Sequence, residues 1–390
     1  MIAKEKIKVM TSTSSSELPD WSHLPELAVH LISTKVKSIL DYVRFRAVCS
    51  SWRSASPPKP SHLPPQLPWL MINDDTTVEE GIGLFYDLWE SKMRKPHLPE
   101  IVGMWCLASC HGWLLLTATG GQEVFLLNPL TRARVPLPPF NTDFKYLYDD
   151  HDAPFYYFLS LSVNKMTFST DLTDPSCLIM VFHLGMTMIQ ICRVGEPCWT
   201  DVTGGPLHRF KTIQDATYYN GRLYLLYHEA MEIVDSNKPE ERIVCNFEPE
   251  LQNFGKRFLE GKSGVYVVII EEDEVDSAAH NTKYDTKKTR KPKMELYQFQ
   301  EQSLKLNQIS DTNNTAIFCG WGNFFPTVCS YDLDFVDYVG GNYIDVHGSW
   351  AESNYHICST KMDSGKSEVV CDLDAEHFIH SLIWFQPSFH

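Results

Sequence analysis

Apolar residues follow two different rhythms in this chain, and the change falls at residues 57–68. Between Leu24 and about Ala55 they recur with helical spacing. Leu24, Leu27, Ala28 and Leu31 fall at i, i+3, i+4 and i+7, with Pro25 suited to a first helical turn. Tyr42, Phe45, Cys49 and Trp52 recur at i, i+3, i+7 and i+10, the stripe of a second helix flanked by Arg44, Arg46 and Arg53. Six prolines within residues 57–68 then stop any helix, and the segment reads as a semi-rigid linker.

From Trp69 onward the apolar runs are short and strand-like. They are WLLLTA (113–118), EVFLLN (123–128), CLIMVFH (177–183), MIQICRV (188–194), RLYLLYH (222–228), MEIVD (231–235), VYVVIIE (265–271) and MELYQF (294–299). Several come in pairs after a glycine, and Asn220-Gly221 is a strong two-residue hairpin signal. YVGGNYIDV (338–346) looks like a further copy of this pattern. The glycines at 112, 221, 264 and 341 stand 109, 43 and 77 residues apart. One gap matches a propeller blade of about 40–50 residues, and the others are long enough for two each. The prediction is a small all-α N-terminal unit followed by an all-β domain, a β-propeller rather than a sandwich or barrel. The expected boundaries are a disordered tail over 1–20, the helical unit over 21–56, the linker over 57–68 and the β domain over 69–390. Within that domain, residues 271–293 carry six acidic and six basic side chains and read as a mobile charged loop.

Composition narrows the function classes. Of 390 residues, 43% are hydrophobic, with ten Trp, seventeen Tyr and twenty-one Phe, enough for a sizeable core. A net charge of −15 argues against a general nucleic-acid binder, which needs a basic surface. Residues 1–60 nevertheless hold nine Lys/Arg against five Asp/Glu, a net of +4, leaving −19 on the rest. An acidic partner for the front end is one reading, ordinary surface variation the other. Eleven cysteines without a dense framework, no apolar signal segment and no membrane-length run lead to an expectation of reduced thiols in the nucleus or cytoplasm. KKTRKPK (287–293) reads as an import signal or as a solvated loop.

No catalytic constellation is spaced along the sequence. GKS at 261–263 has Gly255 one residue too far upstream for a phosphate-binding loop, and HEAME at 228–232 lacks the second histidine of a zinc-protease helix. Cys106, Cys110 and His111 have ligand chemistry, but buried core cysteines are the plainer reading. The expectation is no catalytic residue, no cofactor and no metal.

LPELAVHLISTKVKSILDYVRFRAVCSSWR (24–53) resembles an F-box, through Leu24-Pro25, Glu26-Leu27, Leu31-Ile32, Asp41, Arg44, Arg46, Val48-Cys49 and Trp52-Arg53. The remainder is similar to the plant-type KIB β-propeller domain. HGWLLL (111–116), LLNPLTRARVPLPP (126–139), CWTDV (198–202), YYNGRLYLL (218–226), AIFCGWGNFFPTV (316–328) and IWFQPS (383–388) carry that likeness. The resemblance implies a helical front end that docks a Skp-type adaptor and through it a cullin, while the propeller holds a target protein. It implies adaptor contacts at Leu24, Pro25, Leu27, Leu31, Ile32, Val48, Cys49 and Trp52, with Val48 and Trp52 also able to sit inside the unit. A module of about 30–40 residues buries too little core alone, which fits an external partner. The function so implied is a substrate receptor of an SCF-type E3 ubiquitin ligase. A non-degradative scaffold and a propeller enzyme are the alternatives.

Overall fold

The computed structural model describes residues 20–64, 66–74, 78–118, 121–140, 163–183, 188–202, 213–235, 238–252, 254–261, 264–271, 293–309, 315–318, 329–332, 342–349, 354–361, 367–374 and 379–389. The chain divides into two compact units, Met1–Leu63 and Pro64–His390. In the first, a 3-10 turn at Trp21–His23 precedes helices α1 (Glu26–Ser33), α2 (Ile39–Ala47) and α3 (Ser50–Ala55). The predicted second helix is therefore two. Cys49 is extended, with φ −161° and ψ 171°, and its Sγ accepts the Trp52 N–H at 3.5 Å as the cap of α3. A residue so placed ends one helix and starts another, so Tyr42 and Phe45 on α2 and Trp52 on α3 do not share one helix face.

The second unit holds six sheets among the described residues. Strands β1 (Trp69–Asp74), β2 (Leu84–Asp87) and β3 (Lys92–Arg94) make the first with the last strand, β25 (Ile379–Phe385), in the order β25-β1-β2-β3. The second runs β4 (Met104–Cys110), β5 (Trp113–Ala118), β6 (Val124–Leu127), β7 (Arg134–Leu137). The third has β8 (Val163–Phe168), β9 (Leu178–His183), β10 (Met188–Arg193) and β11 (Thr200–Asp201). The fourth has β12 (Asp215–Tyr219), β13 (Arg222–Leu226), β14 (Ala230–Asp235) and β15 (Lys238–Asn246). After a one-turn helix α4 (Pro249–Gln252), the fifth has β16 (Gly255–Gly261), β17 (Gly264–Glu271), β18 (Lys293–Gln300) and β19 (Lys305–Gln308). The sixth is made of β20 (Thr315–Phe318), β21 (Cys329–Asp332), β22 (Asn342–Ser349), β23 (Asn354–Lys361) and β24 (Ser367–Asp374), ordered β21-β20-β22-β23-β24 with β20 and β22 parallel.

The innermost strands β25, β4, β8, β12, β16 and β21 pack side by side in that order, the arrangement of a β-propeller. Each sheet is covered by a neighbour on both faces. That is why β5, β9 and β13 read as nearly unbroken apolar runs rather than as alternating ones. Leu115, Leu126 and Val181 fill the layer between the second and third sheets, and Met231, Phe258 and Val267 the layer between the fourth and fifth. Phe318 meets Trp384 edge-on at 5.2 Å, joining the sixth sheet to the first.

The turns follow the sequence signals. His111 and Gly112 have φ +45° and +84°, and Asn220 and Gly221 have +47° and +80°, the paired positive values of a tight hairpin turn. The charged loop lies outside the described residues, except that β17 and β18 at its two ends are paired with each other. The glycine pair in YVGGNYIDV is also outside them, while β22 begins just after it.

Polar bonds between sheets supplement the apolar layers. Asn73 Nδ2 donates to the Cys106 carbonyl at 3.1 Å, and Asp215 accepts the Phe258 N–H at 2.7 Å. The indole N–H of Trp199 donates to the Pro138 carbonyl at 2.8 Å, and its ring stacks on Phe140 at 5.3 Å. Trp199→Phe keeps a ring there but orphans that buried carbonyl. It is expected to cost about 1–2 kcal/mol in a denaturant titration.

Candidate protein-docking surface

The small helical unit turns much of its apolar surface outward. Pro25 precedes α1, and its carbonyl accepts the N–H groups of Ala28 and Val29 at 2.9 and 3.1 Å. A residue there needs no N–H of its own, so proline fits. Val29 and Ser33, one turn apart, form the buried side of α1. Leu27, Leu31 and Ile32 point the other way and are 69%, 54% and 43% exposed. Val48, at the joint between α2 and α3, is 55% exposed. Four large apolar side chains left in water on so small a unit mark a surface that a partner covers.

The inner side is held by specific bonds. Tyr42 is fully buried and its hydroxyl donates to the Pro57 carbonyl at 2.8 Å, which fixes the start of the proline segment against α2. Burial pushes its phenol pKa up. His30 on α1 lies 3.3 Å from the Ala55 carbonyl at the end of α3. Phe45 packs against Trp52 with centroids 4.5 Å apart, and the Trp52 indole N–H donates to the Trp21 carbonyl at 3.0 Å.

Of the sequence-predicted contact residues, then, Leu27, Leu31 and Ile32 lie together on the outer side of α1, and Val48 is also outward. Leu24 is half-buried and Pro25 exposed at the entry to that helix. Cys49 and Trp52 are partly buried and engaged in internal bonds, the first as a cap and the second as a brace. Sequence reasoning passed over Trp21, which is 61% exposed. The signal was a lone tryptophan in a polar stretch just ahead of the first helix. Six Lys/Arg against three Asp/Glu over residues 20–63 give this unit a basic balance. Arg44 is tied to Asp41 at 3.2 Å. Asp20 is held below the usual carboxylate range by hydrogen bonds from Ser22 and by His23.

On the propeller, the residues with ligand or catalytic chemistry are absorbed by structure. Cys106 and Cys110 are buried on β4, and burial pushes the Cys106 thiol far up. His111 is exposed in the following turn. No group of three or more His, Cys, Asp or Glu able to hold a metal occurs among the described residues. His183 is buried against Gln190 at 3.1 Å, and desolvation lowers its pKa to about 4. Among the described residues no helix is long and apolar enough to cross a membrane.

Comparison with known proteins finds that residues 85–344 match the family model "KIB1-4 beta-propeller". The chain is 24% identical to F-box protein SKIP23 of Arabidopsis thaliana, over 90% of this chain and 91% of that protein. It is 24% identical to F-box protein At2g17036 of the same plant, over 77% of each. With the F-box/kelch-repeat protein KIB1 of Arabidopsis thaliana it shares 31% identity over 35% of this chain and 37% of that one.

Proposed function

The chain belongs to the KIB1-4 beta-propeller family as a plant F-box protein with a KIB-type propeller, and from that premise we propose that it is the substrate receptor of an SCF-type E3 ubiquitin ligase. Its helical unit docks a Skp-type adaptor, which links it to a cullin, and its propeller holds the target protein. The single observation that supports this most is the outward apolar face of α1, with Leu27, Leu31 and Ile32 in water beside an inner face already satisfied. The proposed contact set is Leu24, Pro25, Leu27, Leu31, Ile32 and Val48. Cys49 and Trp52 act through the shape they give α3.

A receptor of this kind carries no catalytic residue. It raises the effective concentration of target lysines near a bound ubiquitin-conjugating enzyme, so the rate gain is one of proximity. The described cysteines carry no disulfide, which supports a reducing compartment, nucleus or cytoplasm.

The test is capture of a purified Skp-type adaptor with cullin by the intact chain and by Leu27→Asp. A charge at the centre of the apolar face is expected to weaken capture about thirtyfold, roughly 2 kcal/mol, with the melting of the propeller unchanged. An intact, folded chain that captures no adaptor would overturn the proposal. Target half-life in cells then separates a degradative receptor from a scaffold.

A further inference from the structure

The third and fourth sheets of the propeller do not close on each other. Between them lies a cavity of about 280 Å³, lined by Met180 and Ile191 on one side and by Leu223, Leu225 and Val234 on the other. The strand register explains this lining. Met180 faces Ile191 across β9 and β10, and Leu223 faces Val234 across β13 and β14. All these side chains therefore project into the same inter-sheet layer. Close-packed interiors leave few voids larger than a water molecule, so an apolar space of this size calls for an occupant.

Its size and rim define that occupant. A dry apolar cavity of about 150 Å³ takes a benzene ring, so this one has room for two fused rings. Arg193 and Arg242 stand at the rim, and each already has a carboxylate, Glu196 at 3.2 Å and Glu232 at 3.3 Å. The rim has no uncompensated cation for an ionised ligand, and the group it admits is neutral. Beyond the rim the apolar face continues. Val244 lies two residues after Arg242 on β15, on the same face of the sheet, and is 48% exposed. β15 is the outer edge of its sheet, with β14 on its one paired side among the described residues.

We propose that this cavity is the anchor pocket for the target protein, taking a neutral bicyclic side chain, that of tryptophan, from a segment that lies along β15 over Val244. This rests on the receptor reading above and assigns the site of target recognition within it.

The pocket is tested by saturation-transfer NMR on the full chain with two probes. N-acetyl-L-tryptophanamide presents the side chain between peptide groups, and 2-naphthol is a free bicycle of similar size. The intact chain is expected to show transfer to both. Val234→Phe and Leu225→Phe each place a ring in the cavity. They are expected to reduce the transfer at least about tenfold while leaving the melting temperature unchanged or raised. Transfer to 2-naphthol alone would overturn the proposal in favour of a free small molecule. No transfer to either probe would overturn it by showing the space filled, as by the chain's own residues 203–212. Undiminished transfer in both variants would place the binding elsewhere and likewise overturn it. Adaptor capture, measured in parallel, keeps the two readings apart. Failed probe binding with intact capture removes only the pocket, and failed capture with intact probe binding removes only the receptor role.

Discussion

Lys256→Met is expected to lower the stability of the propeller by about 3 kcal/mol. Lys256 is the first interior residue of β16 and is fully buried. Its ammonium donates to three carbonyls, those of His228 and Phe254 at 2.9 Å and of Gln252 at 3.3 Å, and lies 5.3 Å from the Phe247 ring. One side chain thus closes the end of α4, holds the loop after it and ties the fifth sheet to the β13–β14 turn of the fourth. Methionine fills the volume and leaves all three carbonyls short of a donor. Burial lowers the pKa of Lys256 from 10.5 to about 8. The sign of the pH effect follows from that direction. Below pH 8 both folded and unfolded chains hold the proton, and the folded state bears the full cost of a buried charge. Between pH 8 and about 10 the unfolded chain keeps the proton that the folded chain sheds, so stability rises with pH, by at most about 1.4 kcal/mol per unit. Tyr297, pushed up to about 12 by burial and Glu295, titrates the other way, as do Tyr224 and Tyr227, which are raised further. The folded chain holds those phenolic protons longer, so stability falls again above about pH 10. Denaturant midpoints from pH 7 to 11 should rise and then fall in the intact chain. Lys256→Met should show only the fall.

The second large effect is expected at Gly112. The His111–Gly112 turn between β4 and β5 supports the segment that follows β25. Ser388 donates its hydroxyl to the His111 carbonyl at 2.6 Å, and Asn128 Nδ2 donates to the Ser388 carbonyl at 3.0 Å. Asn128 is itself fixed, because its Oδ1 accepts the N–H groups of Leu130 and Thr131 at 3.0 Å each. Gly112 has φ +84°, and a Cβ there would stand 2.9 Å from the Ser388 Cβ and 3.0 Å from its backbone N. Gly112→Ala adds conformational strain and displaces Ser388, with an expected loss of about 3 kcal/mol. Gly221→Ala is the matched control. Its φ is +80° in the same kind of turn, but the added methyl meets nothing within 4 Å, so about 1 kcal/mol of strain is expected. Thermal melts of the two variants separate strain from displacement. Hydrogen exchange along β25 should quicken in Gly112→Ala alone.

The propeller was legible in the sequence where both faces of a strand are buried, since there the apolar run needs no period to be recognised. β5, β9, β10, β13, β14, β17 and β18 all fall on runs read from the sequence, and both tight turns fall on His-Gly and Asn-Gly. The first sheet was not legible. Its strands β1 and β25 pair from opposite ends of the chain, and no local pattern reports a partner so far away. The motifs HGW, LLNPLTR and IWFQPS were separate fragments in the sequence. His111, Gly112, Asn128 and Ser388 bring them into one contact. In the helical unit the spacing showed a stripe but not which way it faced. Periodicity is the same for a stripe turned inward and for one turned to a partner, and only the burial of Val29 and Ser33 distinguishes them. The stripe through Cys49 failed for a different reason. Periodicity carried across a cap residue counts two helices as one.

The pairing of β1 with β25 also sets a clock on biosynthesis. Asp74 and Ile379 lie about three hundred residues apart, so at roughly 5–20 residues per second the ribosome needs some 15 to 60 s to deliver the partner of β1. Through that interval one edge of β1, which includes Leu70, Met71 and Ile72, stands unpaired and open to the strands of other nascent chains. Cells that make this protein must shield that edge for the better part of a minute. The yield of folded protein should therefore depend on chaperone supply more than on the final stability of the ring.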